Sequence, residues 1–141
     1  MVEGIIFKKT KYWRTILKVM VIDDSETVRI KITQIVKDKG HEVIEAENGQ
    51  IALDLITKTS GIDFCICDIN MPEMDGLTLV EEVRKKDWEK KDLIFIMCTT
   101  ETSAGHKMKA KNLGVRGWLH KPFKNSQIDQ LLEFMEKETK S

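Results

Sequence analysis

Short apolar runs alternate strictly with longer amphipathic stretches along this chain. The runs are ILKVMVI at 16–22, HEVIEA at 41–46, DFCICD at 63–68, LIFIMC at 93–98 and RGWLH at 116–120. Each run has the length of a strand, and the stretches between them have the length of helices. Strands separated by helices pair in parallel, because parallel neighbours need a long crossover connection. The pattern therefore predicts an α/β fold, in which a doubly wound, five-stranded parallel sheet carries helices on both faces.

Helical spacing and capping residues support this alternation. One helical face is formed by the apolar residues Val28, Ile32, Ile35 and Val36. Helices often end in a glycine, and Gly40 lies at the position where this helix would end. Four further helices are predicted, one capped by Asn48 and the others at roughly 76–86, 103–113 and 125–137.

The net charge of the chain and the length of its apolar runs limit which partners it can bind and where in the cell we expect it. Acidic and basic residues balance at 23 each, so the charge does not predict binding to nucleic acid. The longest apolar runs have four or five residues, far fewer than the about 20 that cross a bilayer. Residues 1–14 place an apolar patch before basic residues, the reverse of a signal peptide. We expect a cytoplasmic protein with a flexible N-terminal extension at 1–14 and one domain at 15–141.

Several residues that often act as ligands are predicted to be structural. Cys65 and Cys67 lie two apart on one strand, so both face the same side, and no second ligand pair follows at zinc-site spacing. We predict that they are small core residues. His41 and His106 are predicted to be solvated, and Trp88 is predicted to anchor a charged surface loop.

Polar residues end four of the five predicted strands: Asp23 and Asp24 on the first, Asp68 on the third, Thr99 and Thr100 on the fourth, and Lys121 just after the fifth. Open parallel sheets bind ligands outside the carboxyl ends of their strands. We therefore expect these side chains to converge at one edge of the sheet.

Carboxylates gathered at one edge repel each other. At ~5 Å and an effective dielectric constant of ~20, a pair costs about 3 kcal/mol. A cluster rich in oxygen and free of sulfur suits Mg²⁺, and Lys121 adds a second positive charge for an anion. Metal, lysine and hydroxyl together are typical of phosphoryl transfer, in which a carboxylate can be the nucleophile. The candidate nucleophile is Asp68.

Each of these residues also has a structural interpretation. Asp23 or Asp24 can cap the first helix, and Asp75 can cap the third. Thr99 alone is typical of a hydrogen-bonded hydroxyl at a strand end. Their joint occurrence with Asp68 and Lys121 favours the metal and phosphoryl site.

Four motifs together resemble the receiver domain of response regulators. They are DD after the first strand, DINMPEMDG after the third, TT after the fourth and KPF after the fifth, and the similarity extends from about residue 16 to 137. Only 18 residues follow HKPF, enough for one helix, so we expect no output domain. This form resembles the single-domain chemotaxis regulators of the CheY type. The resemblance implies a flavodoxin-like fold with five helices and the strand order 2-1-3-4-5.

The resemblance also implies a role for each site residue. Asp68 would accept a phosphoryl group from a histidine kinase. Mg²⁺ would be bound by Asp24, Asp68 and the backbone carbonyl of Asn70, and partly through water by Asp23. Lys121 would pair with a phosphoryl oxygen, and the bond between Lys121 and Pro122 would be cis.

Other positions would carry the switch and set the lifetime of the phosphate. By the resemblance, Thr99 would hydrogen-bond the phosphoryl oxygen, and Trp118 would change rotamer with it. Asn70, Thr100 and Glu101 lie where the family tunes the lifetime of the phosphate. His120 would add a donor to the surface, and the lysines of the fourth helix, Lys107, Lys109 and Lys111, lie on a face that receivers present to partners.

The implied function is a signalling switch rather than an enzyme, in a chain that acts as a monomer. Its partners would be a CheA-like sensor histidine kinase, a flagellar motor switch protein or another target, and a phosphatase. The alternative is a phosphorelay intermediate that passes its phosphate to a histidine phosphotransfer domain. A phosphatase of the haloacid dehalogenase type needs an aspartate where this chain has Asn70. A flavodoxin-like electron carrier needs a phosphate loop where Asp23 and Asp24 would repel the phosphate.

Overall fold

Strands and helices alternate as the sequence predicts. The strands are β1 (Lys18–Ile22), β2 (Glu42–Ala46), β3 (Phe64–Cys67), β4 (Ile94–Thr99) and β5 (Gly117–His120). The helices are α1 (Glu26–Asp38), α2 (Gly49–Lys58), α3 (Gly76–Lys85), α4 (Ala104–Asn112) and α5 (Asn125–Lys140). Neighbouring strands are parallel, in the order β2-β1-β3-β4-β5. The doubly wound α/β fold and its strand order are thus confirmed.

The computed structural model describes residues 15–100 and 103–140. The N-terminal extension predicted at 1–14 and the site residue Glu101 lie outside the described residues. None of the helices in those two ranges combines the length and the apolar character that crossing a bilayer requires.

Two hydrophobic layers enclose the sheet. On one face, α1 and α5 cover Val19 and Val21 of β1, and on the other, α2 and α3 cover Met20 and Ile22. Every residue of β3 is buried, as expected for a central strand that is covered on both faces. Cys65 and Cys67 lie in the same layer, which confirms that they face one side as core residues.

Helix caps fix where the loops end. The side chains of Asn48 and Asp75 accept hydrogen bonds from the backbone N–H groups of Ile51 and Thr78, both at 2.8 Å, as the sequence predicts for Asn48 and allows for Asp75. The first helix is capped by Ser25, whose hydroxyl accepts from the Val28 N–H at 3.3 Å. Neither Asp23 nor Asp24 is the cap, so both carboxylates remain available to the site.

The prediction for His41 was wrong, because this side chain is buried. Its Nδ1 accepts from the Leu17 N–H at 3.0 Å, and its Nε2 lies 2.8 Å from Oε2 of Glu136. His41 therefore ties the start of β1 to α5. No local pattern shows this, because the partners are 24 and 95 residues away in sequence.

The prediction that Trp88 anchors the charged loop after α3 is confirmed. The side chain is half-buried against the layer that holds α2 and α3. Its Nε1 donates to the Val83 carbonyl at 3.0 Å. Trp88 thus anchors this loop to the end of α3.

The strand register brings the site loops to one level. Ile22 of β1 pairs with Cys67 of β3, and Cys67 pairs with Met97 of β4. The residues that follow β1 and β3, Asp23 and Asp68, therefore leave the sheet side by side. Because both strands are buried, these two positions have little freedom to separate.

Gly76 allows α3 to lie directly against the loop that follows β3. A Cβ atom at this position would lie 2.0 Å from the carbonyl oxygen of Asp68 and 2.9 Å from the side chain of Met97. The Gly76 N–H also donates to the Ile69 carbonyl at 2.8 Å. Only glycine permits this approach, so Gly76 fixes the backbone that carries Asp68.

We predict that Gly76→Ala lowers the free energy of unfolding by about 1–3 kcal/mol or more, because the added methyl group overlaps a backbone atom. Gly105→Ala in α4 is the matched control, since a Cβ atom there meets nothing within 4 Å. Alanine at that exposed helical position should raise stability by about 0.5–1 kcal/mol. Urea unfolding followed by circular dichroism measures both changes, and equal effects would contradict this account of Gly76.

We also predict that the thiols of native protein resist alkylation. Cys65, Cys67 and Cys98 are buried, and burial raises the pKa of the Cys98 thiol to about 12 and that of Cys67 well above its ordinary value. Because the thiolate is the reactive form, a thiol reagent at pH 8 should label none of the three in native protein and all three in urea. Rapid labelling of a native thiol would show that the core opens there.

Candidate functional site

Three carboxylates meet at the carboxyl edge of the sheet. One carboxylate oxygen from each of Asp23, Asp24 and Asp68 lies within 4.8 Å of the others. Asp23 and Asp68 are only 1% and 6% exposed, whereas Asp24 is exposed. The sequence-based expectation that these residues converge is confirmed.

Lys121 provides the positive charge inside this cluster. Its Nζ lies 2.6 Å from Oδ2 of Asp23 and 3.3 Å from Oδ2 of Asp68. Lys121 follows β5, its N–H donates to the Thr99 carbonyl at 3.0 Å, and its bond to Pro122 is cis as expected. The ammonium group therefore bridges two carboxylates that would otherwise repel each other.

Burial and pairing shift the pKa values of this pair. Burial raises the pKa of Asp23, although the hydrogen bonds from Lys121 and from the Ser25 N–H oppose this effect. Burial lowers the pKa of Lys121, but the hydrogen bond and the charge of Asp23 outweigh it, so the pKa of Lys121 lies above its ordinary value. The lysine thus stays charged at neutral pH, and it is the counter-ion on which the cluster relies.

The loop after β3 holds Asp68 and presents Asn70. The strand ends at Cys67, one residue earlier than the sequence suggests. The Asp68 N–H donates to the Ile22 carbonyl at 2.9 Å, and Oδ1 of Asp68 accepts from the Ile69 N–H at 2.8 Å. Asn70 is exposed two residues later. The backbone N–H and Oδ1 of Asp68 are therefore both held by hydrogen bonds, and Oδ2 faces Lys121.

The two threonines at the end of β4 differ in burial. Thr99 is the last residue of the strand and is fully buried, whereas Thr100 lies outside the strand and is exposed. The backbone of Thr99 is joined to Lys121 through the hydrogen bond described above. Thr99 therefore lies at the cluster edge, and Thr100 faces solvent.

Trp118 is half-buried on β5, where it pairs with Met97 of β4. Its Nε1 is buried and has no hydrogen-bond partner among residues 15–100 and 103–140. An unsatisfied buried donor costs about 1–3 kcal/mol. The ring lies 5.8 Å from Nζ of Lys107 and 6.4 Å from the ring of His120, which is exposed. Among the described residues, therefore, no hydrogen bond from Nε1 holds the indole in this orientation.

Two residues that support the cluster, Ser25 and Arg29, were not predicted from the sequence. The Ser25 N–H donates to Oδ1 of Asp23 at 2.9 Å, and Nη1 of Arg29 donates to the carbonyl oxygen of Asp23 at 2.7 Å. Ser25 was detectable, because a serine just before an apolar helical face is a common cap. Arg29 was not, since a charged residue on the first helical turns usually faces solvent.

Comparison with known proteins agrees with the geometry. The response regulator receiver domain family matches residues 19–133. The chemotaxis protein CheY homolog of Campylobacter jejuni is 41% identical over 119 residues, which are 83% of this chain and 90% of that protein. Chemotaxis protein CheY1 of Helicobacter pylori is 37% identical over 118 residues, 83% of this chain and 94% of that protein.

A solved structure shows the same arrangement of elements. CheY4 of Vibrio cholerae has a TM-score of 0.78 and 36% identity to this chain, over 86% of this chain and 99% of that one. The family match covers most of the sequence, and the relatives are aligned over nearly their whole length. The chain therefore belongs to the response regulator receiver domain family of two-component signalling.

Proposed function

We propose that this protein is a cytoplasmic chemotaxis response regulator, which accepts a phosphoryl group on Asp68 and then binds a downstream target. The donor is the phosphohistidine of a sensor histidine kinase, and the favoured target is a flagellar motor switch protein. One observation carries the proposal: Asp68 lies at the end of a buried strand, beside two further carboxylates and a lysine. The relatives that are named as chemotaxis proteins support the target class.

The carboxylate cluster suits Mg²⁺. Its donors are oxygens only, and a second cation, Lys121, already lies against two of them. Asp24 and Asp68 would hold the ion with the carbonyl of Asn70, and Asp23 would act partly through water. When bound, Mg²⁺ supplies positive charge that offsets the repulsion between these carboxylates and an incoming phosphoryl group.

The phosphoryl step follows from the position of Asp68. A carboxylate oxygen of Asp68 attacks phosphorus, the bond from phosphorus to the donor imidazole nitrogen breaks, and that nitrogen keeps the electron pair. The product is an acyl phosphate on Asp68. Lys121 pairs with a phosphoryl oxygen, and Thr99 donates its hydroxyl to another.

The new charge biases a switch on β4 and β5. As Thr99 turns toward the phosphoryl group, space opens next to it for Trp118. The indole can move without breaking a described hydrogen bond, because its Nε1 has none among those residues. Phosphorylation then shifts the population between two arrangements of this region. Asn70, Thr100 and Glu101 are proposed to set how long the phosphate lasts.

The target is proposed to bind beside Trp118. A cavity of about 340 Å³ lies elsewhere, at the opposite edge of the sheet, but the cavity of about 280 Å³ that is lined by Trp118 adjoins the switch. Its lining is basic and includes Lys107, Lys111 and Arg116, with His120 at the site end. Such a surface favours an acidic partner segment, and its shape changes when the indole moves.

We predict that wild-type protein gains the mass of one phosphoryl group when it is mixed with Mg²⁺ and a small acyl phosphate, and that Asp68→Asn does not. The amide is isosteric with the carboxylate but is a far weaker nucleophile. Intact-mass spectrometry measures the gain, and tryptophan fluorescence reports the switch in the same sample. An equal gain in the mutant would remove Asp68 from its role. Transfer of the phosphate from wild type to a histidine phosphotransfer domain, without binding to a motor switch protein, would favour the phosphorelay alternative.

We predict that Lys121→Met tightens Mg²⁺ binding several-fold. The ammonium group contacts oxygens of Asp23 and Asp68, so its removal leaves the carboxylates without a competing cation. The methionine keeps most of the apolar stem. Calorimetric titration of the protein with Mg²⁺ measures the change, and Lys124→Met, at an exposed position nearby, is the control. Weaker binding in Lys121→Met would show that the lysine assists the metal.

A further inference from the structure

Arg29 joins the metal-site loop to a neighbouring strand. It lies at the end of the first turn of α1, and its guanidinium reaches back across the sheet edge. Nη1 donates to the Asp23 carbonyl oxygen at 2.7 Å, and Nε donates to Oε1 of Glu45 on β2 at 3.2 Å. The side chain of Arg29 is only 16% exposed. The guanidinium group is therefore held by two acceptors, one on β2 and one in the loop after β1, which together fix its orientation.

The hydrogen bond from Arg29 to the Asp23 carbonyl also constrains Asp24. The carbonyl of Asp23 and the N–H of Asp24 form one planar peptide unit, so a bond to the first sets the plane from which Asp24 begins. On the other side, the Asp23 N–H donates to the Ala46 carbonyl at 3.1 Å. The turn between β1 and α1 is thus fixed before and after Asp23.

Asp24 needs this support more than the other two carboxylates. Oxygens of Asp23 accept from the Ser25 N–H and from Lys121, and an oxygen of Asp68 accepts from the Ile69 N–H. The carboxylate of Asp24 is exposed, and no hydrogen bond or ion pair to it is found within the two described ranges. The direction of Asp24 therefore depends on its backbone.

We propose that Arg29 is a positioning residue of the metal site, which fixes the peptide between Asp23 and Asp24 and so aims Asp24 at the bound cation. This inference rests on the proposed metal site. Arg29 is itself a cation near the carboxylates, so its charge alone opposes Mg²⁺. Positioning and charge therefore predict opposite signs when Arg29 is replaced.

The test compares Mg²⁺ dissociation constants for the full chain without any phosphoryl donor. Arg29→Met and Arg29→Lys should each weaken Mg²⁺ binding by about tenfold, the low end of the effect of removing a hydrogen bond behind a metal ligand. Arg29→Lys keeps the charge but loses the planar fork, so its weakening cannot arise from charge. Lys37→Met, which removes an exposed cation from the far end of α1, should leave the affinity unchanged.

A double-mutant cycle tests whether the effect passes through Asp24. In an Asp24→Asn background, Arg29→Lys should cause little further loss, because the ligand that it positions is already gone. Unchanged or tighter Mg²⁺ binding in both Arg29 variants, or additive losses in the cycle, would overturn the inference. Should Arg29→Met fail to fold, Arg29→Lys carries the comparison. Failure of wild-type protein to bind Mg²⁺ would instead remove the proposed metal site and the inference with it, so the two failures are distinguishable.

Discussion

The contact of Lys121 with two buried carboxylates is the interaction on which the site depends. Asp23 and Asp68 leave adjacent buried strands at the same level, so the core forces them together. Without a cation between them, their repulsion would oppose the packing that places them. The lysine lies on the loop after β5, two strands away from Asp68, which makes the compensation a property of the whole fold and not of one segment.

The rigidity of the central strands gives this arrangement its chemical value. Cys67 and its neighbours in β3 are buried on both faces, and Gly76 lets α3 press directly on the Asp68 backbone. In the proposed phosphoryl transfer, a carboxylate that is held in this way would lose little freedom when the donor arrives, which would lower the entropic part of the barrier. Less constrained residues lie at the periphery, where Thr100 and His120 are exposed and Nε1 of Trp118 has no hydrogen bond among the described residues. The proposed phosphorylation switch would use this combination of a fixed centre and a less constrained edge.

Sequence patterns predicted the parts of the molecule that local chemistry determines. Apolar runs placed the strands, and Asn48 marked a cap, because both signals lie within a few residues. The convergence of Asp23, Asp68 and Lys121 was also predictable, since parallel strands end at a common edge. His41 was misjudged because its environment is set by partners that are distant in sequence. Arg29 was not predicted for a similar reason: it lies on α1 but its partner Glu45 lies on β2, and its second hydrogen bond goes to the backbone carbonyl of Asp23.

Two cations next to the same cluster illustrate why charge alone does not define a role. Lys121 contacts carboxylate oxygens, the same atoms that the proposed divalent cation would use, and would therefore compete with it. Arg29 contacts the carbonyl oxygen of Asp23 and leaves the carboxylates free. Both stabilise the acidic edge, yet only the lysine would have to move for the proposed cation to reach the carboxylates. The atom that each cation touches, more than its distance from the site, thus separates a counter-ion that is exchanged from a support that stays in place.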